Sequence, residues 1–123
     1  MNWLAISAVN LAAAVMFGAF GAHALKARLS SEQLGWWHTA TEYFFYHALG
    51  LLVIGALIRT IPTLELRLPA GLLQIGIIIF CGSLYAMALG APRWFGAITP
   101  IGGTAFILGW LLLAWSACKV STT

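Results

Sequence analysis

Four stretches without a single Asp, Glu, Lys or Arg occupy most of this chain: Met1–Leu25, Tyr43–Ile58, Leu68–Pro92 and Trp94–Cys118. At 1.5 Å rise per residue, about 20 apolar residues cross the hydrocarbon of a bilayer. Three of the stretches reach that length unaided, and the second reaches it by taking in Thr39–Glu42. Charged residues are 7% of the chain and hydrophobic ones 62%, too few charges to clothe a soluble surface. The expected fold is all-α: an integral membrane protein with four transmembrane helices in an antiparallel up-down bundle. It forms one domain over residues 1–123, with spans near 3–25, 39–59, 68–91 and 98–118.

Local signals set the boundaries. Lys26 and Arg28 mark the edge of the first span, and Ser30 with Gln33 has capping-box spacing. From there to Arg59 only tolerated glycines interrupt a helical pattern, so one helix of almost thirty residues is expected, with Trp36 and Trp37 at the interface. Pro62 stops it, Pro69 suits the first turn of the third span, and Ala91-Pro92 ends that span. Thr99-Pro100 reads as an N-cap followed by proline at the first helical position. Ala22-His23-Ala24 has the look of a signal-peptide cleavage site, but Met1-Asn2-Trp3 brings no Lys or Arg, and a retained helix is expected.

The net charge of +3 comes from the few Lys and Arg flanking the spans, which is ordinary membrane anchoring and gives no ground for nucleic-acid binding. Arg59, Arg67 and Lys119 fall on one side, Lys26, Arg28 and Arg93 on the other, so the positive-inside count is tied and orientation stays open. Antiparallel helices put Cys81 and Cys118 at different depths, so no disulfide between them is expected.

Small residues recur four apart, in Ala14, Gly18 and Ala22, in Gly82, Ala86 and Gly90, and in Ala105 and Gly109. In lipid, close backbone approach over small side chains supplies packing that the hydrophobic effect does not. These strips are expected to be seams within the bundle, with a homo-oligomer seam as the alternative.

Threading the spans antiparallel gathers His23, His38, Glu42, Tyr43, His47, Ser83, Tyr85, Arg93 and Thr99 in one membrane half. The other half holds much less: Ser7, Asn10 and Gln74. Ionisable groups inside a membrane are costly and mark candidate sites. His38, Glu42 and Tyr46 share a helix face, and His47 lies about 140° round from Glu42, so the two cannot chelate one ion alone. The histidines have three readings: hydrogen bonds that lock helix ends, with Glu42 paired to Arg28, Arg93 or His38; a proton or ion path through Glu42; or haem or metal ligation. Structural locking is favoured. No Cys-x-x-Cys, His-Glu-x-x-His or Cys-x-x-Cys-His pattern is present, and no metal site or cofactor is expected.

Several motifs in order carry a resemblance. Phe17-Gly18-Ala19-Phe20-Gly21-Ala22-His23-Ala24-Leu25, Thr41-Glu42-Tyr43-Phe44-Phe45-Tyr46-His47-Ala48-Leu49, Gly82-Ser83-Leu84-Tyr85 and Ile98-Thr99-Pro100-Ile101-Gly102-Gly103 resemble the motifs of an uncharacterised four-span membrane family. That family includes YgdD-like and YwdK-like bacterial inner-membrane proteins and a eukaryotic four-span relative. The resemblance covers nearly the whole chain. It implies a small multi-pass protein of the bacterial cytoplasmic membrane without an assigned reaction, substrate or cofactor.

No nucleophile–base pair is legible, and no enzyme activity is expected. The leading expectation is a structural or accessory subunit that packs, among membrane lipid, against a larger membrane complex. The alternative is a small transporter or proton/ion conductor acting as a homo-oligomer, and a lesser one is a haem- or metal-binding membrane protein.

Overall fold

In the computed structural model, which describes residues 1–120, four long helices carry the chain back and forth. They are α1 (Trp3–Leu25), α2 (Ser31–Thr60), α3 (Arg67–Ala88) and, after a 3-10 turn over Arg93–Ala97, α4 (Thr99–Lys119). Each is long and apolar enough to cross a membrane.

Their ends follow from local chemistry. Asn2 caps α1 by accepting from the Ala5 amide at 3.2 Å. The capping box opens α2: the Gln33 amide donates to Ser30 Oγ at 3.2 Å and the Ser30 amide donates to Gln33 Oε1 at 2.9 Å. Gly90, at φ +110, ends α3 in a reverse-bonded turn. Its amide donates to the Met87 carbonyl at 3.1 Å and the Ala91 amide to that of Ala86 at 2.9 Å, a Schellman closure. Gly90 therefore terminates a helix and takes no part in a packing seam.

The expected Thr99 cap is not formed. The 3-10 turn runs straight into α4, with the Ile98 amide bonded to the Phe95 carbonyl and the Ile101 amide to that of Ile98, both at 3.0 Å. Ile98 occupies the cap position, and the Thr99 hydroxyl is left for another partner.

The packing is not a square. α2 and α3 press together in the middle, α1 lies on α2, α4 lies on α3, and α1 and α4 sit on opposite flanks without substantial contact. Leu51, Ile54, Leu66 and Leu73 are fully buried along the central seam. Leu73 reaches between helices, where a Cβ on Gly109 would come within 2.9 Å of it. On α4 the small residues Ala105 and Gly109 are buried.

On α1 and α3 the seams differ from a strict four-residue repeat. Ala14 is buried and Gly18 faces Thr41 and Phe45, but Ala22 is exposed, and Gly21 lies under the Trp37 indole instead. Eight residues advance a helix about 80° past full turns, whereas seven fall only about 20° short, so the face that starts at Ala14 returns at Gly21. Gly82 is likewise exposed with open space around it, and Ala86 is half-buried. The closest approach on α3 is at Phe80, whose backbone abuts Gly102 of α4.

Two wide π turns interrupt the helices, at Gly21–Leu25 and Ile77–Cys81. The first begins where the Trp37 indole packs over Gly21, and the second contains Phe80, which meets α4, so both coincide with tight interhelical contacts. Both cysteines are free, Cys81 buried and Cys118 exposed.

Candidate functional site

The polar residues expected to converge instead form three small clusters and an outward stripe. The first cluster joins α1, α2 and α3. Trp37 Nε1 donates to the Phe17 carbonyl at 2.8 Å, and Thr41 Oγ1 donates to the Trp37 carbonyl at 3.0 Å. That leaves Thr41 Oγ1 to accept from the Tyr85 hydroxyl, 2.8 Å away. The rings of Trp37 and Tyr85 are 4.4 Å apart and those of Phe17 and Tyr85 5.0 Å, so the polar links sit inside an aromatic stack. Trp37 and Tyr85 are buried, so little water competes for these bonds and they fix the helices in register.

The second cluster joins α3 to the start of α4. Ser83 Oγ donates to the Phe80 carbonyl at 2.9 Å and lies 2.5 Å from Thr99 Oγ1. This is the partner that Thr99 gains by not capping its helix.

The third is His47. Buried on α2, it stacks on Phe106 of α4 with ring centroids 3.5 Å apart. Its Nδ1 lies 2.8 Å from the Tyr43 carbonyl, which can only accept, so Nδ1 carries the proton. Tyr43 lines the same aromatic group, 4.6 Å from Phe80.

The other candidates lie elsewhere. His23 is exposed on α1, whereas His47 faces α4, and these two helices stay apart; the histidines do not meet. Arg93 pairs with Glu32, at 2.6 Å, and lies 5.9 Å from the Trp36 ring. Both members of that pair are exposed, at 79% and 55%, so it contributes little to stability. Glu42 has no ion-pair partner among the described residues. It projects from α2 on a stripe with His38, Tyr46, Leu49 and Val53, all exposed. That stripe runs down the face of α2 between the flanking α1 and α4.

Two features lie in the half that looked inert from sequence. Asn10 Nδ2 donates to Gln74 Oε1 at 2.7 Å, an amide pair that ties α1 to α3 deep in the membrane. The signal was present as two amides within apolar runs, but nothing in one helix names its partner on another. At the ends of α2 and α4, Ser116 Oγ donates to the Glu65 carbonyl at 2.9 Å, and a cavity of about 650 Å³ opens beside it.

The sequence profile of a family described as a protein of unknown function, DUF423, matches residues 17–103. The chain belongs to the DUF423 family. The profile's span takes in the first two clusters, His47 and the α2 stripe, and ends short of Phe106. Among similar proteins, a UPF0382 membrane protein of Staphylococcus epidermidis is 47% identical over 117 residues, 95% of each chain. One from Staphylococcus saprophyticus is 46% identical over 118 residues, covering 96% of this chain and 98% of that one. The UPF0382 membrane protein YwdK of Bacillus subtilis is 40% identical over 118 residues, 95% of this chain and 96% of its own. No solved structure matches. This DUF423 chain is thus a multi-pass protein of the bacterial cytoplasmic membrane, from a family without an assigned reaction.

Proposed function

We propose that this protein is a non-enzymatic accessory subunit that docks the outward face of α2 against a helix of a larger membrane complex. The observation that carries the reading is Glu42, exposed on a transmembrane helix together with His38 and Tyr46. Counting back about 20 residues of hydrocarbon from Arg59 reaches Thr39, so Glu42 lies about one turn inside the apolar zone. A carboxylate turned toward lipid there is unfavourable, by up to about 3 kcal/mol at the bilayer centre and less near the interface. A partner helix bearing a hydrogen-bond donor or a cation removes that cost. Below Glu42 the stripe continues as Tyr46, Leu49 and Val53, an apolar seam of the kind a neighbouring helix covers.

The stripe suits a different chain better than a second copy. A parallel twofold sets the Glu42 carboxylate opposite the like charge of its own copy, and an antiparallel one sets it against the apolar Val53 end of the stripe. A conducting path through His23, Glu42 and His47 draws less support, because the three side chains face different surroundings. So does joint ligation of haem or metal by His23 and His47, which lie on different sides of the bundle. Purification of the tagged protein from native membranes in a mild detergent tests the reading. A partner of fixed stoichiometry that is lost on Glu42→Leu is the expected result. Protein that runs alone, or only with copies of itself, contradicts it.

A further inference from the structure

A cavity lies at the opposite membrane face from the three polar clusters, where α2 ends, α3 begins and α4 ends. It measures about 650 Å³, and its lining grades from charged to apolar: Arg67, Lys119 and Glu65, then Trp115, Leu112 and Leu68. Arg67 opens α3 and Lys119 closes α4, so both cations stand at the membrane surface. Neither is in an ion pair among the described residues. The 10-residue α-helical segment that opens α3 begins at Arg67 without a side-chain cap, so its first amides and its dipole add to the positive field at the rim. Trp115 and Leu68, exposed at 60% and 65%, leave the apolar side open to the bilayer. The loop between α2 and α3 is held in place by the bond from Ser116 Oγ to the Glu65 carbonyl, so the rim is a fixed feature.

We infer that this cavity binds an anionic phospholipid, with its phosphate between Arg67 and Lys119 and an acyl chain along Leu68, Leu112 and Trp115. The charge balance selects among lipids. Two cations and one carboxylate line the cavity, a net +1 that complements a lipid of charge −1 and leaves a zwitterionic one without a match. Glu65 is placed to accept from a hydroxylated headgroup such as glycerol. The side opening admits a lipid laterally, whereas a free phosphate gains nothing from the apolar wall. The site is independent of the docking face of α2, because the α2 residue that lines it, Ile58, lies outside that stripe.

Native mass spectrometry of the delipidated full chain tests this, with phosphatidylglycerol, phosphatidylethanolamine and glycerol phosphate titrated separately. Phosphatidylglycerol is expected to bind with a preference of about tenfold or more over phosphatidylethanolamine, and glycerol phosphate is expected not to bind. R67Q/K119Q, a change at two exposed positions, should weaken phosphatidylglycerol binding about 10- to 30-fold. R28Q/R93Q, at the other membrane face, should leave it unchanged. Equal binding of the two lipids, equal binding of glycerol phosphate, or an unaltered affinity in R67Q/K119Q overturns the inference.

Discussion

Trp37 does at one position what a membrane bundle needs most: it fills space and satisfies a backbone carbonyl across a helix boundary. Its indole occupies the room that Gly21 leaves, and its N–H reaches the Phe17 carbonyl. Trp37→Phe keeps most of the volume and loses the bond, at an expected cost of about 1 kcal/mol. Gly21→Val forces the ring out and should cost about 1–3 kcal/mol by overpacking. Denaturant or thermal unfolding in detergent measures both, with Gly21→Val the more damaging. His47 offers a second contrast. Its stack on Phe106 is a packing contact, so His47→Phe is expected to lose no more than about 1.5 kcal/mol, and His47→Ala about 2–4 kcal/mol. Proton flux in liposomes that depended on His47 but survived in neither variant would contradict this structural role.

Among the elements, small residues matter by where backbones meet, and a sequence strip does not reveal that place. Gly102 faces the Phe80 backbone, whereas Gly82 faces open space. Gly102→Ala should push α3 and α4 apart and lower the unfolding midpoint, while Gly82→Ala should raise stability by about 0.5–1 kcal/mol through helix propensity. A midpoint that moves equally for the two would mean that the seam is not at Gly102. The four spans themselves were legible from charge-free length alone, as were the Ser30–Gln33 box and the stop at Pro62, because those signals act over a few residues. The packing strips were legible only in part. Ala14, Gly18, Ala105 and Gly109 lie at seams, but Ala22 and Gly82 are exposed and Gly90 closes a turn, since a four-residue repeat drifts round a helix with 3.6 residues per turn. The π turns were not legible at all, because they arise from contacts with a neighbouring helix.

For the whole molecule, the arrangement of four helices decides which polar residues meet. Depth could be read from the sequence, and it put Ser83, Tyr85 and Thr99 in one membrane half, where Ser83 bonds Thr99; the Thr41 partner of Tyr85 was not singled out. Azimuth could not be read, and it separates His23 from His47 and turns Glu42 outward. Because α1 and α4 occupy opposite flanks, a face of α2 is left uncovered between them, and the proposed docking role rests on that face. Site-specific photocrosslinking in intact cells tests this most directly, with the probe placed at Leu49 on the α2 stripe and, as a control, at the exposed Ile107 of α4. The expected result is one discrete adduct with a different protein from Leu49, absent from Ile107 and abolished by Glu42→Leu. Lipid adducts alone at both positions, or a Leu49 adduct with a second copy of this chain, would contradict the account.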